Sequence, residues 1–235
     1  MKRLLIALFL AAASILPAAA QEYYDIDVNL PQYPEMQPVP DSPVYYAPQV
    51  DSNYFFYDGQ YWDYYNDRWY TSAWYNGPWA YVDPIYVPTY VLWVPVGYYR
   101  RPPYYFQHWR HDRPPRWSEH WGHDWQNRHN AIYSGRHTTM PQRAPLPTYQ
   151  RQYSRDNYPR APQQQYAIHD QQYRHQPHEQ ATVRQHYERR GVSVQNTQPS
   201  LQSTQPSTQG SQPRHDSRGG EQSHPEQPRP ERRTY

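Results

Sequence analysis

The chain of 235 residues is 36% hydrophobic and 17% aromatic, with 27 prolines and 27 tyrosines. Its mean hydropathy of -1.22 predicts one small folded domain between long segments that bury little apolar surface. Cysteine is absent, which excludes disulfides, thiolate metal ligands and lipid attachment at a processed cysteine. The formal net charge of +2 conceals a gradient, because residues 21–83 are acidic and the chain beyond them is basic. Such asymmetry suits self-association or an anionic surface, and equally a solvated tail.

The first twenty residues have the pattern of a secretory signal peptide. Lys2 and Arg3 precede an apolar run from Leu4 to Ile15, and we expect cleavage after Ala20. That run is too short to span a bilayer, and no later segment is apolar enough to do so. We therefore predict a periplasmic or otherwise exported protein without a transmembrane segment. The prolines that follow, in residues 21–43, predict an extended arm.

Residues 44–100 contain three aromatic-turn-aromatic units, YDGQY, YNDRW and YNGPW, which begin at residues 57, 65 and 75. Asp-Gly and Asn-Asp favour two-residue hairpin turns because these residues tolerate positive φ. The pattern predicts a mainly β fold, a small antiparallel meander of three or four strands. We place the strands near residues 53–57, 60–65 and 68–74, with a fourth at 79–82.

Alternation of side chains sorts the rings of this meander into two faces, if Phe56 lies opposite Tyr61 and Tyr64 opposite Trp69. The first face carries no charge and should be buried; it contains Phe55, Tyr57, Trp62, Tyr64, Trp69, Thr71 and Ala73. The second face mixes rings with charge and should be partly wet; it contains Tyr54, Phe56, Tyr61, Asp63, Tyr65, Arg68, Tyr70, Ser72 and Trp74. Because three bare strands are marginally stable, we expect residues 85–99 to cover the first face in an extended form, confined by Pro84, Pro88 and Pro95.

The second face is the candidate binding surface. Tyrosine and tryptophan offer rigid, amphipathic area that can lie on sugar rings, peptides or other aromatic surfaces. The alternative is that all these rings fill a core that lacks aliphatic residues. The residues assigned to the binding face are Tyr54, Tyr61, Tyr65, Arg68, Tyr70 and Trp74.

Residues 101–133 contain a twelve-residue repeat, RPPYYFQHWRH followed by RPPRWSEHWGH. Pro114 and Pro115 suit the first turn of a helix capped by Asp112, which predicts a short helix at about 115–130. Three tryptophans at four-residue spacing form a stripe along it. They are Trp117, Trp121 and Trp125.

The same repeat supplies two His-x-x-His pairs, His108 with His111 and His120 with His123. On a helix, residues three apart share a face, so each pair could present two imidazoles to Zn, Cu or Ni, with a nearby carboxylate as a further ligand. The alternative is a polar, solvated surface. From residue 134 to residue 235 the chain is rich in Gln, Pro, Arg and His and lacks periodicity, which predicts a disordered tail.

The motifs of nucleophilic, metalloprotease and phosphate-binding enzymes are absent from the sequence, and its aspartates fall in turns, so we predict no enzymatic activity. Arginines interleaved with rings also suit nucleic acid, but export argues against such a partner. The stretches YDGQYW, NDRWY, YNGPWAYV, VPVGYYRRPP and HWGHDW resemble a group of uncharacterised exported proteins of Gram-negative bacteria that are rich in Tyr, Trp, Pro and His. The resemblance spans residues 44–125, and it implies a periplasmic or envelope protein without an assigned activity.

Two functions follow from these observations. The first is a non-enzymatic envelope protein that binds glycan, peptidoglycan or another envelope protein, or has a structural role, through its exposed rings. The second is a periplasmic protein that binds a transition metal through the histidine pairs.

Overall fold

The computed structural model describes residues 22–26, 28–133 and 139–179. The predicted signal peptide at 1–20 lies outside the described residues, as do residues 134–138 and 180–235 of the predicted tail.

The described residues form a seven-stranded antiparallel sheet, with the order β1-β7-β6-β5-β4-β3-β2 from edge to edge. The mainly β prediction is confirmed, but three or four strands is too few. The strands are β1 (Tyr23–Tyr24), β2 (Gln37–Pro38), β3 (Tyr45–Tyr46), β4 (Tyr54–Tyr57), β5 (Gln60–Tyr65), β6 (Arg68–Ser72) and β7 (Trp79–Val82).

The register of the central strands follows from their turns. Asp58 and Gly59 between β4 and β5, and Asn66 and Asp67 between β5 and β6, all have positive φ, as tight hairpins require. Phe56 pairs with Tyr61 and Tyr64 with Trp69, as predicted. The third unit differs, because six residues separate the end of β6 from the start of β7.

The proline-rich arm accounts for the two outer strands. β1 pairs with β7, and β2 pairs with β3. The arm is therefore part of the sheet, and it protects both edges with strands of only two residues. Its apolar side chains Ile26, Val28, Met36 and Val39 are buried.

The first face of the sheet packs against residues 84–99, which is the cover that the sequence predicts. Its conformation differs from the expectation, because the segment folds as successive helical turns: Pro84–Tyr86, α1 (Thr89–Leu92) and Val96–Tyr98. Pro88 and Pro95 lie immediately before such turns, where a missing N–H costs nothing. Val87, Val91 and Val94 are fully buried beneath them.

Helix α2 (Trp117–Tyr133) lies over this cover. It begins two residues after Pro115, so the prolines precede the helix, and Asp112 binds Arg110 instead of capping it. Gly122, with φ 83° and ψ 171°, interrupts the helical backbone. The predicted tryptophan stripe is present, since the rings of Trp117 and Trp121 stack with their centroids 4.4 Å apart.

The second face of the sheet is buried as well, so the expectation of a partly wet face is wrong. Residues 22–26 and 28–36 cover one part of it. Residues 139–179, here called the C-terminal strap, cover another part, and they contain α3 (Pro162–Gln172) and two short helical turns at Thr148–Gln152 and Arg155–Asn157. The prediction of a structureless tail is therefore wrong for residues 139–179.

Candidate functional site

Four of the six residues assigned to the binding face are buried in the folded protein. The exposed fractions of Tyr61, Tyr70 and Trp74 are 0%, 5% and 0%, against 0% for Trp62 on the first face, and Tyr54 is equally enclosed. Tyr65 is half-buried and Arg68 is exposed. The second face therefore presents no continuous aromatic surface to a partner in the fold described.

The polar atoms of these rings are used inside the protein. The Tyr54 hydroxyl donates to the carbonyl of Tyr75 (2.6 Å), and the Tyr61 hydroxyl donates to Gln150 Oε1 (3.1 Å). The Trp74 indole N–H donates to a carbonyl of α3 (3.2 Å). Buried hydroxyl and indole groups need such partners, which is why polar-tipped rings can line a core between two layers.

A carboxyl group is buried among these rings. Asp63 is fully enclosed on β5 and accepts a hydrogen bond from the Ser52 hydroxyl. Burial raises the pKa of Asp63 to about 8, although the bond from Ser52 opposes the shift. Asp63 therefore serves the interior and not a binding surface.

A groove with a volume of about 630 Å³ lies between α1 and α2, and several aromatic side chains line it. Three hydrogen bonds hold α2 against the cover segment and so form the groove. The Trp117 indole N–H donates to the carbonyl of Leu92 (2.9 Å), and the Tyr133 hydroxyl donates to the carbonyl of Tyr86 (2.8 Å). The ring of His129 contacts the carbonyl of Val87 (3.0 Å).

The lining of this groove combines apolar rings with hydrogen-bonding groups. Leu92, Trp117 and Trp125 supply buried apolar surface, and Trp93, directly after α1, is 54% exposed. The polar part of the lining includes Ser118, Gln126, Asn130 and the ion-paired Arg116 and Glu119. Its volume and mixed lining are typical of sites for small ligands. Trp93 lies in the cover that the sequence predicts, but the groove could not be predicted, because the proline spacing conceals the helical turn of α1.

The four histidines of the predicted pairs are not brought together. His120 and His123 lie on either side of Gly122, where the backbone is not helical, so they do not share a helix face. His108 and His111 are exposed, and they precede α2. A metal role for these pairs remains a prediction without geometric support.

His120 instead joins a cluster at the turn between β5 and β6. Asp67 Oδ1 accepts hydrogen bonds from the hydroxyls of Tyr64 (2.5 Å) and Tyr105 (2.8 Å) and contacts His120 Nε2 (2.6 Å). Burial opposes ionisation of Asp67, but these three bonds outweigh it and lower the pKa of the carboxyl. The rings of Tyr105 and His120 stack 4.2 Å apart, so the cluster fastens the turn to α2.

Within the described residues, one group of three metal-ligating side chains is close enough to share an ion: Asp58, His175 and His178. The two histidines form a third His-x-x-His pair, with the spacing of the two pairs noted above. The sequence does not reveal this pair as a site, because its surroundings have the composition of a disordered tail. Its partner Asp58 is more than 110 residues away in the chain, and periodicity carries no information across such a distance.

Comparison with known proteins adds no relative. No protein family model, no curated protein and no solved structure matches this chain. Among the described residues, no helix is long and apolar enough to cross a membrane.

Proposed function

We propose that this protein is an exported, non-enzymatic binding protein that holds a glycan of the cell envelope in the groove between α1 and α2. The observation that carries the proposal is the indole of Trp93, which is 54% exposed beside a lining of other rings and hydrogen-bonding side chains. The proposal that the protein is exported rests on the predicted signal peptide and on the resemblance to exported proteins described above.

A sugar ring suits such a lining for a physical reason. Its C–H faces are apolar and pack against a flat aromatic ring, while its hydroxyl groups need donors and acceptors at the edge. The groove has both: the exposed ring of Trp93, and the polar groups of Ser118, Gln126 and Asn130. A flat, wholly apolar groove would favour a lipid or a hydrophobic helix instead.

Replacement of Trp93 tests this function. We expect Trp93→Ala to weaken binding to purified peptidoglycan at least tenfold, which corresponds to about 1.4 kcal/mol, because the exposed indole supplies stacking area that no neighbour replaces. Binding would be measured by co-sedimentation with sacculi, and by quenching of tryptophan fluorescence with soluble saccharide fragments.

Tyr104→Ala is the matched control, since Tyr104 is an aromatic residue that is 81% exposed and does not line the groove. This variant should bind as the unaltered protein does. Equal losses in both variants, or no retention of the unaltered protein on peptidoglycan at physiological salt, would contradict the proposal.

A further inference from the structure

Two imidazoles from the C-terminal strap converge on one carboxylate oxygen of the sheet. Asp58 Oδ1 lies 2.9 Å from His175 Nε2 and 3.3 Å from His178 Nδ1. The groove between α1 and α2 contains none of these residues. The cluster therefore lies outside the site proposed for glycan.

The spacing of these three atoms matches a coordination shell with little rearrangement. Ligand atoms about 2.1 Å from a tetrahedral Zn²⁺ ion lie roughly 3.4 Å from one another. Asp58 Oδ1 lies 2.9 Å and 3.3 Å from the two ring nitrogens, slightly closer than this spacing, and all three candidate ligand atoms lie within 4.8 Å of one another. A cation could take the place of the protons in these two hydrogen bonds.

The carboxylate is oriented by the backbone of the strap. Asp58 Oδ2 accepts hydrogen bonds from the backbone N–H groups of His178 and Glu179, both at 2.8 Å. The Tyr57 hydroxyl in turn donates to Glu179 Oε1 (2.7 Å). Such outer contacts fix the direction of a metal-ligating side chain and raise its affinity for the ion.

The hairpin turn leaves room for the imidazole of His175 beside Asp58. Asp58 and Gly59 both have positive φ, and a Cβ at Gly59 would stand 3.2 Å from the ring of His175. A residue larger than glycine would therefore press against the imidazole that approaches Asp58.

The cluster has a closed side and an open side. The Asp58 and His175 side chains are 4% and 10% exposed, whereas the His178 side chain is 69% exposed. A cation can enter from the side of His178, and a water molecule can complete its shell there, while burial of Asp58 removes competing solvent from the carboxylate.

We propose that Asp58, His175 and His178 form a binding site for a divalent first-row transition metal of the Zn²⁺ class, which fastens the C-terminal strap to the turn between β4 and β5. Two imidazoles and one carboxylate are a ligand set that suits Zn²⁺, Ni²⁺ and Cu²⁺, and it is poorly suited to Mg²⁺ or Ca²⁺, which prefer oxygen ligands.

Zinc titration of the purified, chelator-treated full chain tests the site. We expect calorimetry at pH 7.5 to give one Zn²⁺ per chain, and Co²⁺ to give the visible absorption of a tetrahedral site. In the double variant His175→Ala/His178→Ala, the affinity should fall by about a hundredfold or more. Zn²⁺ should also raise the thermal unfolding temperature of the unaltered protein, because it binds only the folded arrangement.

The control is His108→Ala/His111→Ala, which removes an exposed pair with the same spacing; its affinity and stoichiometry should match those of the unaltered chain. If the double variant at the strap does not fold, His178→Ala decides, since that side chain is mostly exposed, and its affinity should fall at least tenfold. Retained binding in the strap variants, an equal loss in the control, or no binding by the unaltered chain at micromolar Zn²⁺ would overturn the proposal. Glycan binding is measured independently, so either proposal can fail alone.

Discussion

Tyrosine and tryptophan each combine a large apolar ring with one polar atom, and that combination shapes this protein residue by residue. On the second face of the sheet, Tyr54, Tyr61 and Trp74 bury their rings and satisfy their polar atoms with partners from other segments. Such residues can fill a core where aliphatic ones are scarce. Their presence in a strand therefore does not by itself indicate an exposed face.

Asp63 is the residue at which burial has the clearest consequence for stability. Its pKa is about 8 in the folded protein, against an ordinary value of 3.8. Because the pKa of Asp63 is higher in the folded than in the unfolded protein, its contribution to the free energy of unfolding is fully present below pH 3.8. That contribution is lost as the pH rises towards 8. Between those values we expect this group to lower the free energy of unfolding by about 1.4 kcal/mol per pH unit.

Asp63→Asn removes the ionisation while keeping the shape of the side chain. We expect the variant to be more stable than the unaltered protein at pH 8. Its free energy of unfolding should also fall much less between pH 4 and pH 8. Urea unfolding at several pH values measures both effects. The same pH dependence in the two proteins would show that Asp63 ionises normally in the fold.

At the scale of elements, a buried glutamine is one of the groups that attach the C-terminal strap to the sheet. Gln150 is fully enclosed in the helical turn Thr148–Gln152. Its Oε1 accepts from the Tyr61 hydroxyl and the Tyr75 backbone N–H, and its Nε2 donates to the Ala73 carbonyl (2.8 Å). One side chain thus satisfies backbone groups that the sheet leaves unpaired after β6.

Gln150→Leu keeps the volume of the side chain and removes these bonds. We expect a loss of about 3 kcal/mol in the free energy of unfolding, because a buried N–H and a buried carbonyl lose their partners. Chemical denaturation measures the change. Gln152→Leu, an exposed position in the same turn, is the control and should change stability little; similar losses in both variants would contradict the role assigned to Gln150.

At the scale of the whole molecule, the sheet is the middle of three layers. The first face packs on residues 84–99 and α2, and the second face packs on residues 22–26, residues 28–36 and the C-terminal strap. Because residues 84–99 and the C-terminal strap consist mostly of turns and short helices, each depends on the sheet for its own burial. We therefore expect the layers to fold cooperatively.

Truncation tests this dependence. A chain that ends at residue 138 should expose the second face, bind a hydrophobic dye such as ANS and associate on size-exclusion chromatography, since the uncovered rings form a large apolar patch. A chain that ends at residue 179 keeps the contacts described above and should fold cooperatively without binding the dye. A soluble, cooperatively folding chain that ends at residue 138 would show that the strap is dispensable.

Local patterns in the sequence predicted the central sheet well. Asp-Gly and Asn-Asp turns set the register of β4, β5 and β6, and the pairing of Phe56 with Tyr61 follows directly. Side-chain periodicity likewise predicted the uncharged first face and the stripe of Trp117, Trp121 and Trp125. Each depends only on residues a few positions apart, where turn chemistry and side-chain periodicity act.

The tertiary structure alone decided what covers the second face and which histidines meet a carboxylate. Gln150 and His175 reach β-sheet partners about 90 to 120 residues away, and their polar, aperiodic segments gain burial only on a sheet that is already formed. By itself, the sequence determined the turns, the strand register and the dry first face, because those are local. The buried second face, the groove beside Trp93 and the cluster at Asp58 depend on contacts between distant segments, and no local pattern encodes such contacts.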